Sequence, residues 1–366
     1  MRIYSDQSYL PVGVAHNVLL VPFWGHIPAA HGYGPMETFL DSYKSTAATF
    51  LEMTDLASCE YAVLPATWAV AKASAAAMDL ATRFAARARD AGKPVLVIDN
   101  SDCDAPVELS VPTIVFRTSL YRSTRRSNEW AMPAWSEDFL RVHCEGLLQT
   151  RRKSAVPTIG FCGVADLTAP PSLLARTLNR ITGRQTSARV HPAYETRNSA
   201  LHRLLASPGL TTNFVLRRGF FGDVLIDGRV DSTTLFARRR EYLDNMLQSD
   251  YVLSCRGEGN YSYRLYETLS AGRIPVLVDT DCVLPREDEI DWSSYCVRVG
   301  RDQVPDIGSI IVDFHRHISE TEFVERQRAC RALWETKLAP GVFFEHVARR
   351  LSCSGQNCTT EAAADV

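Results

Sequence analysis

The 366-residue sequence lacks several features that would quickly assign a class of protein. Its formal net charge of -2 gives no basic excess, which argues against sequence-independent nucleic-acid binding. Its ten cysteines form no CxxC pair and no Cys/His spacing of the zinc type, so we interpret them as buried thiols of a reducing compartment. No apolar run approaches the ~18 to 20 residues of a membrane span. The N-terminus also lacks the parts of a signal peptide. We therefore expect a cytoplasmic protein and leave peripheral contact with the inner membrane open.

The length and the apolar pattern predict two domains of the α/β class. The chain is longer than one hydrophobic core usually holds, and β-like runs alternate with amphipathic stretches. The predicted strands are 17–23, 61–65, 94–98, 113–116, 157–163, 212–216, 251–255, 274–278 and 296–299. The predicted helices are 36–51, 67–91, 171–182, 234–248, 262–271, 307–317, 320–337 and 343–351. We predict domains at 1–150 and 151–340, then a C-terminal helix that packs back on the first domain, with a frayed tail, in 341–366.

The segment 256–272 carries the most informative chemistry. Gly257 and Gly259 give the backbone freedom to lie close to a ligand, and Ser262 is suited to begin a helix. The free amides and positive dipole end of that helix favour an anion such as a diphosphate. These local features are equally compatible with an ordinary capped turn, since Gly-x-Gly is neither the full GxGxxG nor the GxxxxGK motif.

Charged residues flank this loop. Arg256 and Arg264 could each bind two phosphate oxygens, which lysine would not reproduce. Glu267 lies one turn beyond Arg264 and could accept hydrogen bonds from a ribose. The loop therefore predicts an anion site with a carboxylate at a useful spacing.

The run from Ser249 to Arg298 resembles the C-terminal signature of the exostosin-like glycosyltransferases, family 47. The shared order is an Arg-Gly loop, Ser-x-Arg-x-x-Glu on a helix, Gly-x-x-Pro-Val into a strand, a later proline and Asp291-Trp292. Weaker landmarks are GFCG at 160–163 and NFVLRRGFFG at 213–222. The first 150 residues show little resemblance beyond Ala-Val-Leu-Pro at 62–65.

Membership of this family implies the GT-B architecture, two Rossmann-like domains with parallel sheets facing across a cleft. It implies a sugar-nucleotide donor held by the C-terminal domain, an acceptor held by the N-terminal one, and inversion without an essential metal. Either Arg217 or Arg218 would then join Arg256 and Arg264 in stabilising the leaving diphosphate. The predicted donor-binding residues are Arg217, Arg218, Arg256, Gly257, Glu258, Gly259, Asn260, Ser262, Tyr263, Arg264 and Glu267.

An inverting transferase needs a base near the acceptor hydroxyl. The segment after the first predicted strand offers His26, His31 and Glu37, at the carboxyl end of a strand where ligands bind in open α/β sheets. Each of them could equally be an ordinary loop residue. We predict that the acceptor is a glycan or lipid-linked hydroxyl used in bacterial surface polysaccharide synthesis.

Two short acidic motifs and two basic runs suggest other ligands. Asp279-Thr280-Asp281 and Asp102-Cys103-Asp104 resemble the DxD motif that holds Mg²⁺ or Mn²⁺ in the GT-A architecture, but the arginines already supply positive charge, so we expect no metal. Two groups of arginines could meet nucleic acid or anionic lipid, although such runs are usually solvated: the run 238–240, and Arg122, Arg125 and Arg126. A non-catalytic sugar-nucleotide scaffold and a GT-B-like epimerase or phosphorylase remain the alternative functions.

Overall fold

A computed structural model of the chain describes residues 1–25, 36–165, 167, 194–217, 225–226, 229–230 and 232–361. Only the backbone is described at 36–39, 225–226, 229–230, 232 and 354–361. The chain forms two compact units. The first unit contains Met1–Ser136, Val283–Pro285 and Glu335–Val366, and the second contains Glu137–Cys282 and Arg286–Trp334. The sequence-based boundary at residue 150 therefore lies within the second unit.

The first unit is built on a six-stranded parallel sheet. Its elements are β1 (Arg2–Tyr4), α1 (Val21–Trp24), α2 (Met36–Thr46), β2 (Glu52–Met53), β3 (Tyr61–Val63), α3 (Trp68–Ala71), α4 (Ala75–Asp90), β4 (Val95–Asp99), β5 (Thr113–Arg117) and β6 (Glu129–Ala131). The strand order is β2-β1-β3-β4-β5-β6, and every pairing is parallel. Trp68 and Phe84, from α3 and α4, pack on Val95, Val97 and Val115 to form its core.

One strand predicted in this unit is wrong. Residues 17–23 form a 3-10 helix, Val18–Leu20, that leads into α1. The side chain of Asn17 accepts a hydrogen bond from the amide of Leu19, and Pro22 stands in the first turn of α1. An N-terminal cap followed by proline favours a helix over a strand, although the residues between them are apolar.

The second unit is built on a five-stranded parallel sheet. Its elements are α5 (Phe139–His143), β7 (Thr158–Val164), α6 (Tyr194–Leu205), β8 (Thr211–Arg217), β9 (Leu225–Ile226), β10 (Arg229–Val230), α7 (Ser232–Leu247), β11 (Tyr251–Ser254), α8 (Tyr263–Ser270), β12 (Ile274–Asp279), β13 (Val297–Gly300), α9 (Ile307–His317) and α10 (Glu320–Leu333). The order is β13-β12-β11-β7-β8, all parallel, and β9 pairs with β10 in a separate antiparallel ribbon. The helix predicted at 171–182 lies outside the described residues.

Both sheets reverse their winding direction next to their first strand. In the first unit β1 lies between β2 and β3, and in the second β7 lies between β8 and β11. Such a reversal is the topological switch point of a doubly wound sheet, where a crevice opens beyond the carboxyl ends of the two strands. The two parallel α/β units confirm the predicted pair of Rossmann-like domains.

The chain returns to the first unit at its C-terminal end. A π-helix at Trp334–Leu338 precedes α11 (Pro340–Glu361), which packs against α2, and the ring of Phe344 lies 5.1 Å from that of Tyr43. The predicted return of the final helix to the first domain agrees with this packing, and its backbone stays helical beyond Cys353, where a frayed tail was predicted. In the described part of the chain, no helix is long and apolar enough to cross a membrane.

Candidate anion-binding site in the second unit

The loop at 256–261 connects β11 to α8 at the switch point of the second sheet. All four residues of β11 are buried, which makes it a central strand, and α8 begins directly after Ser262, as predicted. The side chain of Ser262 makes no capping hydrogen bond. Gly272 ends the helix at φ +62°, a left-handed conformation that favours glycine. The loop thus brings the positive end of α8 to the carboxyl edge of the sheet.

Arg264 projects from the first turn of α8 toward β7. Its Nη2 donates a hydrogen bond to the carbonyl oxygen of Cys162 at 2.7 Å, and its guanidinium carbon lies 4.2 Å from the centroid of the Phe161 ring. Its Nε is buried and has no partner among the described residues. No carboxylate of the described chain pairs with Arg264. The side chain is therefore anchored, while the described residues supply no counter-ion for its charge.

Gly163 makes room for this arrangement. A Cβ atom at this position would lie 2.6 Å from Nη2 of Arg264, well inside normal contact distance. A larger residue would push the guanidinium off the strand. The last glycine of the GFCG landmark at 160–163 is therefore explained by the space that the Arg264 guanidinium requires.

Arg197, on α6, is a member of the site that the sequence did not indicate. Its Nη1 donates to the carbonyl oxygen of Val164 at 3.1 Å, and its Nη2 donates to that of Arg256 at 2.8 Å. Burial, together with the positive charge of Arg264, lowers the pKa of Arg197 to about 10. No sequence signal could have found it, because α6 was not predicted and Arg197 belongs to no motif. It joins the ends of β7 and β11, the strands that flank the switch point.

Glu267 lies within a buried charge network. Only 5% of it is exposed, and it accepts hydrogen bonds from the hydroxyl of Tyr242 at 2.6 Å and from Arg239 at 3.3 Å. Arg239 also donates to Glu137 at 2.6 Å. Burial lowers the pKa of Arg239, but the two carboxylates outweigh it and raise that pKa. The contact of Glu267 with a ribose stays a prediction, and its observed partners lie within the protein.

The other predicted arginines are engaged in different ways. Arg217, at the end of β8, donates to Glu241 at 2.6 Å. Arg256 donates to the carbonyl oxygen of Glu258 at 2.6 Å, within its own loop. Arg218 lies outside the described residues. Arg264 thus reaches the switch point, and none of the described carboxylates pairs with it.

The remaining loop residues differ in accessibility. A Cβ atom at Gly257 would meet nothing within 4 Å, so the fold itself does not require glycine there. Asn260 is buried and accepts a hydrogen bond from Thr280 at 2.6 Å. Glu258 is exposed and Gly259 is buried, and the ring of Tyr263 packs edge-on against that of Tyr261. Open space beside Gly257 allows a ligand to approach the backbone closely.

The predicted base candidates fall where the structure describes no side chains. His26 and His31 lie outside the described residues, and Glu37 is described only by its backbone in α2. Their role as a base stays a prediction.

The acidic motif at Asp279 is already paired. Asp279 accepts hydrogen bonds from the guanidinium of Arg298 and from the amide of Cys282, the latter at 3.1 Å. Burial raises the pKa of Asp279, but the bond and charge of Arg298 outweigh it and lower that pKa. Within the described ranges, no group of three His, Cys, Asp or Glu side chains could hold a metal ion. Whether the reaction uses a metal stays a separate question.

The basic run at 238–240 is also paired with acids. Arg238 contacts Glu241 at 3.0 Å and Arg240 contacts Asp244 at 3.0 Å, while Arg239 joins the buried network described above. Most of this charge is therefore balanced within the second unit. Trp292 is 3% exposed, so it belongs to the core of the unit.

Known proteins resemble the part of the chain that contains this site. Residues 221–314 match the model of the Exostosin GT47 domain. Exostosin-1 of Drosophila melanogaster is 34% identical over 144 residues, which span 38% of this chain and 18% of that protein. A probable glucuronosyltransferase, GUT1, of Oryza sativa subsp. japonica is 30% identical over 119 residues, 30% of this chain and 27% of that protein. The matched segments thus span less than a third of the length of these relatives.

Among solved structures, Anabaena HepE in complex with UDP-glucose aligns over 97% of this chain and 99% of its own, with 10% identity and a TM-score of 0.42. The family-model match covers the loop at 256–261 and the helix α8. It confirms the resemblance predicted from the sequence, since residues 221–314 are similar to the Exostosin GT47 domain.

Proposed function

We propose that the chain is an inverting glycosyltransferase. It would move a sugar from a nucleotide-diphosphate donor to a hydroxyl of a glycan or lipid-linked acceptor, in the cytoplasm or at the inner membrane, during bacterial surface polysaccharide synthesis. The observation that carries this proposal is Arg264, an anchored guanidinium that pairs with no carboxylate of the described residues, at the switch point of a parallel sheet. The names of the relatives, exostosin and probable glucuronosyltransferase, support the same class of reaction.

The physical argument concerns the leaving group. When the bond between the anomeric carbon and the diphosphate breaks, negative charge grows on the phosphate oxygens. Fixed positive groups lower the energy of that transition state without reorganising at the moment of reaction. Arg264 is held against Phe161 and Cys162, so its position is set before the donor arrives. The positive end of α8 adds partial charge at the same place.

In this proposal the arginines act in place of a metal ion. Asp279, the candidate metal ligand nearest to the loop in sequence, is already bound to Arg298. Activity should therefore survive EDTA. A loss that Mn²⁺ reverses would contradict this part of the proposal.

The acceptor hydroxyl loses its proton to a base in the first unit. His26, His31 and Glu37 stay the proposed candidates. The pH-rate profiles of their alanine variants test this assignment, since a base works only when it is deprotonated, and its removal should abolish the acidic limb of the profile. Unchanged profiles in all three variants would exclude them.

A thermal-shift screen against UDP, GDP, CDP and their sugars tests the donor class. A ligand at one hundred times its Kd should stabilise the protein by about 2.7 kcal/mol. Arg264→Ala should lose this stabilisation, whereas Arg203→Ala, which removes an exposed arginine from α6, should keep it. No stabilisation by any compound would overturn the proposal.

Product analysis with a labelled donor separates the remaining functions. A transferase gives a glycosylated acceptor, an epimerase gives an isomerised donor, and a scaffold returns the donor unchanged. Isomerisation, or no reaction, would contradict the transferase.

A further inference from the structure

Arg197 is a buried cation for which the described chain supplies no carboxylate. It is 8% exposed, its two terminal nitrogens bind neutral carbonyl oxygens, and its Nε is buried without a partner among the described residues. Burying a charge without a counter-ion is costly, so such an arrangement needs a compensating interaction.

A second cation lies beside it. Arg264 binds the carbonyl oxygen of Cys162, and Arg197 binds that of Val164, two residues along the same strand. The charge of Arg264 contributes to lowering the pKa of Arg197, second to burial. The two guanidinium groups therefore repel each other, and an anion near both would relieve that repulsion.

We propose that Arg197 is a positioning residue and the second cation of this site, and that the ligand is a multiply charged phosphate anion. Its double clamp, the two hydrogen bonds to the carbonyl oxygens of Val164 and Arg256, fixes the end of β7 relative to the start of the 256–261 loop. Its charge adds to that of Arg264. The diphosphate of a sugar nucleotide fits this description, and that identification of the ligand rests on the proposed function.

Arg273 supplies a matched control within the same unit. It is 2% exposed, and it also binds neutral oxygens, those of Gly272 and Leu247. Burial lowers its pKa to about 10, as for Arg197, but the carboxylate of Asp250 lies near enough to oppose that shift. Arg273 thus resembles Arg197 in burial and bonding but belongs to no candidate site.

Calorimetric titration of the full chain with pyrophosphate tests the proposal. Wild type should bind, and Arg197→Met should weaken binding at least tenfold. Arg197→Lys keeps the charge but not the double clamp, so it should restore part of the affinity. Arg273→Met should lower the unfolding midpoint while its affinity for pyrophosphate stays within threefold of wild type.

The result is decisive in each case. Wild type that does not bind pyrophosphate, or a folded Arg197→Met that binds as tightly as Arg273→Met, overturns the proposal. If Arg197→Met does not fold, arginine-selective ¹⁵N labelling of wild type replaces it. The Arg197 Nε–H resonance, assigned from its loss in Arg197→Lys, should shift along the pyrophosphate titration, and a resonance that does not move overturns the proposal.

The proposed function can fail separately. If pyrophosphate binding depends on Arg197 but no nucleotide sugar supports transfer, the two-arginine anion site is supported and the transferase function is contradicted. If Arg197→Met transfers sugar with normal kcat and normal KM for the donor, the transferase function is supported and the proposed role of Arg197 is contradicted.

Discussion

Arginines lie at the carboxyl edges of both sheets, and the two units neutralise them differently. In the first unit Arg117, the last residue of β5, is fully buried and pairs with Asp99 at 2.9 Å and Glu129 at 3.0 Å. In the second unit Arg264 and Arg197 bind carbonyl oxygens, and no described carboxylate pairs with either. Paired charge of the first kind holds strands together. Uncompensated charge of the second kind is available to an anionic ligand.

The largest expected effect is on the stability of the first unit. Arg117→Met leaves Asp99 buried without its cation and Glu129 with only the exposed Arg126, which should reduce the free energy of unfolding by about 3 to 5 kcal/mol. Urea denaturation measures this loss. Arg83→Met, which breaks an exposed pair with Asp79, should cost at most about 1 kcal/mol. Equal losses in the two variants would remove the structural role of Arg117.

Arg264→Ala should show the opposite pattern. Removing a fixed donor to a developing oxyanion reduces turnover by about 10² to 10³, and the donor-binding charge is lost with it. The urea midpoint should change little, because the substitution leaves no carboxylate of the described residues without its partner. Steady-state kinetics and denaturation are measured on the same preparation. Near-normal turnover, or a stability loss equal to that of Arg117→Met, would break the comparison.

The buried network around Glu137 predicts a response to acid. Burial raises the pKa of Glu137, but the hydrogen bond from His143 and the charge of Arg239 outweigh it and lower that pKa from its ordinary 4.5. The ionised carboxylate therefore stabilises the fold above about pH 4.5, and this stability is lost as the pH falls through the lower, folded-state pKa.

The measurement is the unfolding midpoint between pH 6 and pH 3. Wild type should lose stability more steeply than Glu137→Gln, which has no carboxylate to protonate. Parallel pH profiles for the two proteins would contradict the assignment of acid sensitivity to this network.

The smallest expected effect on stability is that of an alanine at Gly257. It tests whether the open space beside this glycine serves a ligand, whereas Gly160 is required by the packing of the fold. Gly257→Ala should change stability by less than about 0.5 kcal/mol, since its Cβ would meet nothing within 4 Å. It should weaken donor binding, because the methyl group enters the open side of the loop. Gly160→Ala is the control, since its Cβ would lie 2.3 Å from Oγ of Ser249 and should destabilise the unit by about 1 to 3 kcal/mol. Unchanged donor affinity in Gly257→Ala would place the ligand elsewhere.

The sequence predicted local structure well where the signals were local. The strand, loop and helix of 251–272 and the following strand agree with the structure to within a residue, because a buried apolar run and a left-handed glycine each act on their neighbours. The strand wrongly predicted at 17–23 also reflects local signals. The cap at Asn17 and the proline at 22 were local signals that the apolar run outweighed in our interpretation.

The site could be predicted only in part, because its remaining members depend on contacts distant in sequence. Arg197 meets Arg256 across 59 positions, and Arg239 meets Glu137 across 102. A run of three arginines reads as a solvated face, and no local pattern shows that its middle member points inward. The charge balance that distinguishes Arg264 from Arg117 likewise appears only once the chain is folded.

The packing of α11 against α2 has a consequence for synthesis. The first unit contains both the start of the chain and residues 335–361, whereas the second is assembled largely from the residues between them. On the ribosome, Tyr43 has no Phe344 to pack against until about 300 further residues have been made. The first unit is therefore the last to be completed, although its strands emerge first, and the nascent chain exposes the apolar side of α2 throughout that interval.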